Sequence, residues 1–343
     1  MRTNTSELSD DKARLAILKA AREKSVNWFA ARIADDGEPA GADIANAWWR
    51  APWALAVAGA PDIAAAMLGW VERNALTDDG DLKPGRFGGG QLHSPVYFLS
   101  PLAIAANLLA RYDLADLIME RMKAYWNAET GGIYEITDYH TDPVEEILKT
   151  CQFGISSLVT GNDDVSEKIF TWLQRIYCLQ PSLPGKLYPA LRNGVLITKY
   201  EERDAFMRCV DFSASRQAYF FSGIAAAFLA GYYQRTGNKA ALQLAEAYLV
   251  LNEKGTDQQF EDQSSIQICK YGWGVAATYT ASPTPERRVW VRKMADWFVG
   301  RQEEDGSWAP SSFSCPRPGA LDYYWKTAEH LMEMSYIEIA LRQ

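Results

Sequence analysis

The chain has 343 residues, 48% of them hydrophobic and 23% charged, and its 43 acidic residues outnumber the 35 basic ones for a net charge of −8. That composition excludes a disordered chain, a collagen and a coiled coil. It also argues against nucleic acid as a general partner, because binding phosphate backbones without sequence preference needs a basic field. The length fits about two average domains or one large closed one. Twelve Trp, 17 Tyr and 13 Phe point to large aromatic surfaces.

Residues 1–10 have no apolar run and are expected to be a flexible N-terminus without a secretion signal. No window of about 18 uninterrupted apolar residues offers a membrane span. The cysteines, Cys151, Cys178, Cys209, Cys269 and Cys315, are odd in number and lack Cys-x-x-Cys spacing. Reduced thiols and a cytoplasmic location follow as expectations. The histidines His93, His140 and His330 lie far apart in sequence, so no zinc spacing is visible.

From residue 12 onward, apolar residues recur at helical spacing and β-branched alternation is scarce. Amphipathic segments over 12–33, 61–76, 113–126, 165–178, 239–251 and 285–301 should pack outside with one wet face. Between them lie segments that are apolar nearly all round, over 47–59, 95–110, 146–159, 215–233, 264–280 and 323–341, and these should be buried. Six outer–inner pairs predict an all-α chain, a single (α/α)6 double-ring toroid over residues 11–343. An open solenoid would need polar capping repeats at both ends, and the last segment is among the more apolar.

Inner-to-outer turns are short, at Ala60, Tyr112 and 161–162 for example. Outer-to-inner loops are long: 35–46, 78–94, 127–145, 179–214, 252–263 and 302–322. Long loops in a compact domain are usually functional or disordered. All six should lie at one mouth of the ring, where the N-termini of the inner helices favour an anion.

Residues 297–308 read WFVGRQEEDGSW, in which Gln302 is followed by Gly306, Ser307 and Trp308. This segment resembles the QW repeat of the terpenoid cyclase and protein prenyltransferase superfamily. There the Gln caps a helix, and the Trp stacks on it to tie neighbouring hairpins. WFAARIADDG at 28–37, with Ile33 in place of the Gln, and YWNAETGGIY at 125–134 resemble the same turn. The Asp-rich motifs of both cyclase classes and the zinc ligands of the prenyltransferases are not found. In length and composition the chain is similar to the fungal humulene-type sesquiterpene cyclases, which lack the usual motifs.

The first two turns of the inner segments carry Arg50, Lys149, Arg216, Lys270 and Lys326, with His93 near the remaining one. Burying such groups unpaired in an apolar helix is unfavourable. They therefore form an anion-binding ring or pair with Asp142, Glu145, Glu146, Asp211, Asp322 or Glu329. Aromatic residues crowd the same turns, among them Trp49, Trp53, Tyr97, Tyr271, Trp273 and Trp325.

The resemblance implies a cyclase that ionises an isoprenyl diphosphate, with farnesyl diphosphate the preferred candidate. The five cations, with Tyr97 and Trp325, would hold the substrate. Trp49, Trp53, Tyr271 and Trp273 would shield the carbocation by cation–π attraction. Glu145 and Glu146 would hold Mg2+, since hard oxygen ligands suit that ion. The alternative is a glycoside hydrolase or lyase acting on uronate-type saccharides, with Asp211 and either His93 or Glu145 as its acid–base pair. A third reading is a non-catalytic protein-binding toroid. Trp70, Trp126, Trp172 and Trp290 on the outer segments suggest a homodimer.

Overall fold

A computed structural model describes residues 5–343. The outer helices are α1 (Thr5–Ala30), α3 (Pro61–Asn74), α5 (Tyr112–Met122), α7 (Asp163–Cys178), α10 (Lys239–Glu253) and α13 (Pro285–Val299). The inner helices are α2 (Ala51–Val57), α4 (Val96–Leu108), α6 (Ile147–Thr160), α9 (Phe220–Thr236), α12 (Cys269–Ala281) and α14 (Ala320–Leu341). Two short helices, α8 (Ala205–Arg208) and α11 (Gln258–Glu261), lie in the long loops.

Successive inner helices pack on one another in chain order, and α14 returns to pack on α2. Outside them, α13 packs on α1. These two contacts close both rings, so the chain is the (α/α)6 toroid that its periodicity predicts. Helix α1 already includes residues 5–10, which the sequence reading sets apart as a flexible segment. No helix is long and apolar enough to cross a membrane among the described residues.

Local chemistry sets the ends of the hairpins. The Asn238 side chain accepts the Ala240 N–H at 3.0 Å to start α10, and the Thr284 hydroxyl does the same for Arg287 at 3.2 Å ahead of Pro285. Gly161 and Gly237, at φ +80° and +70°, end α6 and α9 in the left-handed conformation.

Helices α9 and α12 approach closely through Gly223 and Gly274. A Cβ on Gly274 would stand 2.4 Å from the Gly223 carbonyl oxygen, and one on Gly223 would stand 2.2 Å from the Lys270 backbone. This contact fixes the start of α12 and therefore the position of Lys270.

Trp70 and Trp172 are buried between the layers, and Trp126 and Trp290 are half-buried. The QW-like turn is a clamp. Gln302 Nε2 donates to the Ala21 carbonyl at 2.8 Å and to Ser25 Oγ at 2.9 Å. The buried Trp308 donates its indole N–H to the Phe298 carbonyl at 2.9 Å. The turn ties the last outer helix to the first.

The long loops gather at the mouth and contain five short strands. β1 (Val144–Glu146), β3 (Ala190–Arg192) and β4 (Val195–Leu196) form one antiparallel sheet, and β2 (Lys186–Leu187) pairs with β5 (Val210–Asp211). Helical periodicity carries no signal for strands this short.

Candidate functional site

At the mouth end, three inner helices bring cations to one carboxylate. Arg50, just ahead of α2, donates from Nη1 to Glu329 Oε1 at 2.6 Å. Lys270 on α12 and Lys326 on α14 donate to the same carboxylate, Lys270 to Oε1 and Lys326 to Oε2. Lys326 and Glu329 are three residues apart on one helix face, where such pairs meet. All four side chains are buried. Burial alone would raise the Glu329 carboxyl, but Lys270, Lys326 and Arg50 outweigh it and hold the group well below its ordinary range. In return Glu329 holds Lys270 above the usual lysine range against its own burial.

Aromatic rings collar this cluster. The Arg50 guanidinium stands 4.4 Å from the Trp49 ring centre and 5.1 Å from that of Tyr97. Lys326 lies 4.0 Å from the Trp325 ring and Lys270 5.7 Å from that of Phe220. Arg50 Nε and Nη2 are buried with no hydrogen-bond acceptor among the described residues. Buried donors of this kind are uncommon and costly.

A second group sits at the start of α6. Tyr134 lies opposite Glu145 in an antiparallel bridge, so Glu135 and Glu146 share the other face of the ribbon as diagonal neighbours. Arg208 grips the Glu135 carboxylate at 2.6 and 3.3 Å. Lys149 donates to the Glu135 carbonyl. Glu146 caps α6, accepting the N–H groups of Leu148 at 2.5 Å and Lys149 at 2.8 Å. Burial pushes the Glu146 carboxyl up to about 7 against the pull of Lys149 and the two N–H groups, with Glu135 adding to the rise. Burial lowers Lys149 by more than Glu146 and Glu135 raise it.

Of the residues singled out in the sequence, Trp49, Arg50, Tyr97, Lys270, Trp325 and Lys326 meet in the first group, and Glu146 and Lys149 in the second. Others do not. Glu145 turns to the outer layer, where Trp172 Nε1 donates at 2.6 Å and Asn127 and Thr130 each donate at 2.7 Å. Glu145 and Glu146 thus point away from each other on alternate faces of a strand and do not converge as the two Mg2+ ligands.

Asp211 pairs with Lys186 at 3.3 Å and accepts from Ser213. Arg216 is exposed and pairs with Asp262 at 2.9 Å. His93 is exposed in its loop, bridging Ile136 through the backbone. Tyr271 faces outward and donates to Glu253 at 3.1 Å. Trp53 meets Trp273 and Tyr336 edge to face, and Trp273 stacks on Tyr336, with centroids 5.6 to 6.3 Å apart. They fill the axis.

The sequence reading missed Glu135, Arg208 and Glu333, and it named Glu329 only as one of several counter-ions. The spacing of Lys326 and Glu329 was the available signal for that pair. Beside the mouth, a groove of about 870 Å3 runs between residues 28–44 and 303–324, lined by Trp28, Arg32, Glu303, Asp305, Tyr323 and Tyr324.

The fold and this mouth define the class as an (α/α)6 barrel with a charged, aromatic opening. No protein-family model and no curated relative matches the chain. Solved structures match over nearly its full length. The GH76A alpha-1,6-mannanase from Salegentibacter sp. HEL1_6 has a TM-score of 0.66 at 14% identity, covering 95% of this chain and 99% of its own. A D-mannose isomerase has a TM-score of 0.67 at 12% identity, covering 94% and 97%. A protein from Actinoplanes has a TM-score of 0.57 at 13% identity, covering 95% and 100%.

All three share the toroid, and the mannanase and the isomerase are by name enzymes of sugars. They correct the expectation of a terpene cyclase and of an isoprenyl diphosphate as its substrate. The physical reason lies in the motif that carried the resemblance. Its Gln and Trp clamp outer helices together, a packing task that any closed helical ring must solve, and their side-chain hydrogen bonds go to backbone carbonyls and Ser25 rather than to the charged groups of the mouth.

Proposed function

We propose that this chain is a carbohydrate-active enzyme that hydrolyses a glycosidic bond in an oligosaccharide bearing a carboxylate group. The observation that carries this reading is the pairing of Glu135 and Glu146 on one face of the mouth, with Lys149 and Arg208 beside them. Diagonal neighbours across a strand pair are spaced about 7–8 Å apart. Side chains of this length on that spacing can bring their carboxyl groups to the roughly 5–9.5 Å used by glycoside hydrolases.

Glu146 holds a proton near neutrality and can give it to the leaving oxygen. Glu135, kept oriented by Arg208, is the second carboxylate and faces the sugar carbon or an attacking water. Tyr97 and Trp325, both half-buried, offer faces for sugar rings to stack on. Arg50, Lys149, Arg208, Lys270 and Lys326 outnumber the carboxylates ionised near neutrality, which favours an anionic sugar over a neutral one. The groove beside the mouth suits a chain longer than one ring. The inactive mannanase variant in complex with alpha-1,6-mannotriose, in which two consecutive aspartates are replaced by asparagine, supports acidic chemistry on this type of scaffold.

A sugar isomerase is the second reading, and Lys149 favours it. Burial makes its ammonium easier to deprotonate, and the resulting neutral amine can take a proton from the carbon beside a carbonyl.

The test is incubation of the protein with uronate-bearing oligosaccharides, alpha-1,6-mannooligosaccharides and D-mannose, with products separated by anion-exchange chromatography. Shortened uronate oligosaccharides are expected. Glu146→Gln should lower the rate by about 10²–10⁴-fold. The wild-type rate should fall as pH rises through about 7, where Glu146 loses its proton. Ketose formed from D-mannose alone would replace this reading with the isomerase, and no turnover of any sugar by folded protein would overturn both.

A further inference from the structure

Behind the cation cluster, on the side of α14 that faces α13, lie three groups the mouth does not use. Cys269 opens α12, and His330 and Glu333 lie three residues apart on α14. The Cys269 Sγ, an imidazole nitrogen of His330 and a carboxylate oxygen of Glu333 all lie within 4.8 Å of one another. All three residues are at most 2% exposed.

His330 is boxed by aromatic rings, with Phe298, Trp308 and Trp297 at 5.2, 5.8 and 5.9 Å between centroids. Among the described residues, neither imidazole nitrogen and neither Glu333 oxygen has a hydrogen-bond partner. Lys270 stands 3.7 Å from Glu333 but commits its hydrogen bond to Glu329. An imidazole and a carboxylate left unsatisfied side by side in an apolar interior are costly alone. A thiol completes the set on the third side.

We propose that Cys269, His330 and Glu333 bind one divalent transition-metal ion of borderline softness, with zinc as the best fit. Thiolate, imidazole and carboxylate are the three ligand types such an ion takes, and a tetrahedral site leaves a fourth position open. The thiolate and carboxylate together match the charge of the ion. The imidazole binds such an ion through the lone pair of a ring nitrogen. The ligands come from two adjacent inner helices, so the ion pins α12 to α14 beside Lys270 and Glu329. With the ligands enclosed, the ion enters during folding.

The experiment purifies the full chain without chelator and measures zinc by mass spectrometry. The protein is then unfolded, stripped with chelator and refolded with Co2+ as a spectroscopic probe. About one equivalent of metal and a near-ultraviolet thiolate-to-cobalt charge-transfer band are expected. The band should vanish in Cys269→Ala and persist in Cys151→Ala, which removes a different buried cysteine. Glu333→Gln keeps nearly the same shape, so it guards against loss of folding, and it should weaken Co2+ binding by about 10-fold or more. Wild-type protein that binds neither metal, or a band that survives Cys269→Ala, would falsify the site. None of these readouts depends on a sugar, so the result stands apart from the proposed activity.

Discussion

The two ends of the ring axis are built from the same six inner helices and differ in almost every property. At the mouth, loops of up to 41 residues, as between α7 and α9, carry strands, ion pairs and buried donors without acceptors. At the far end the connections shrink to two or three residues. An apolar cavity of about 280 Å3 lies there, lined by Ile155, Leu158, Val159, Ala227, Trp273 and Tyr336 among others. The far end closes hairpins, and its short turns leave no backbone free for chemistry. The mouth has the chain length to bring distant charges together. One scaffold thus separates short hairpin closures from long, charge-bearing loops along a single axis.

The comparison breaks if mutations at the two ends have equal effects. Glu329→Ala should have the largest effect on stability. It leaves Arg50, Lys270 and Lys326 buried around no carboxylate and should cost about 3–5 kcal/mol. Urea denaturation reads this directly, and an unchanged midpoint would mean the cluster is solvated.

Next comes the protonation of Glu146. Its carboxyl is raised from 4.5 to about 7, so the folded chain binds the proton more tightly than the unfolded one. That contribution is complete below pH 4.5 and is lost as pH rises to about 7, on the order of 3 kcal/mol. In Glu146→Gln this part of the decline should disappear from a series of denaturation curves across that window.

Gly274→Ala should cost about 1–3 kcal/mol by forcing α9 and α12 apart. Because Lys270 rides on that contact, it should also lower activity, whereas a purely local effect would leave turnover unchanged. Gln302→Ala breaks the clamp between first and last outer helices and should cost about 1–2 kcal/mol without touching turnover.

The smallest effect belongs to the far end. Gly231→Ala sits in the middle of α9, where its new Cβ meets only the Leu158 side chain at 3.1 Å beside the apolar cavity. Leu158 has room to yield. The change should stabilise by about 0.5–1 kcal/mol through the lost freedom of glycine, with activity unaltered. A loss of activity there would contradict the separation of the two ends.

The sequence by itself determined the rings. Each long helix lies where the 3.6-residue apolar pattern puts it, most within a few residues, because that pattern is local and repeats over many turns. Loop lengths then determined which end is the mouth and which turns carry Arg50, Lys149, Lys270 and Lys326. Only the tertiary structure decided which carboxylate these cations meet, since Arg50 and Glu329 are 279 residues apart and several acidic residues were equally available. It also decided that Glu145 and Glu146 part company, because a single step along a strand reverses the side chain and the sequence gives no sign of so short a strand. Cys269 and His330 lie too far apart in the chain for metal spacing to reveal them, and closure of the ring places them side by side. Periodicity is written along the chain, whereas charge pairing and ligand convergence depend on contacts across it.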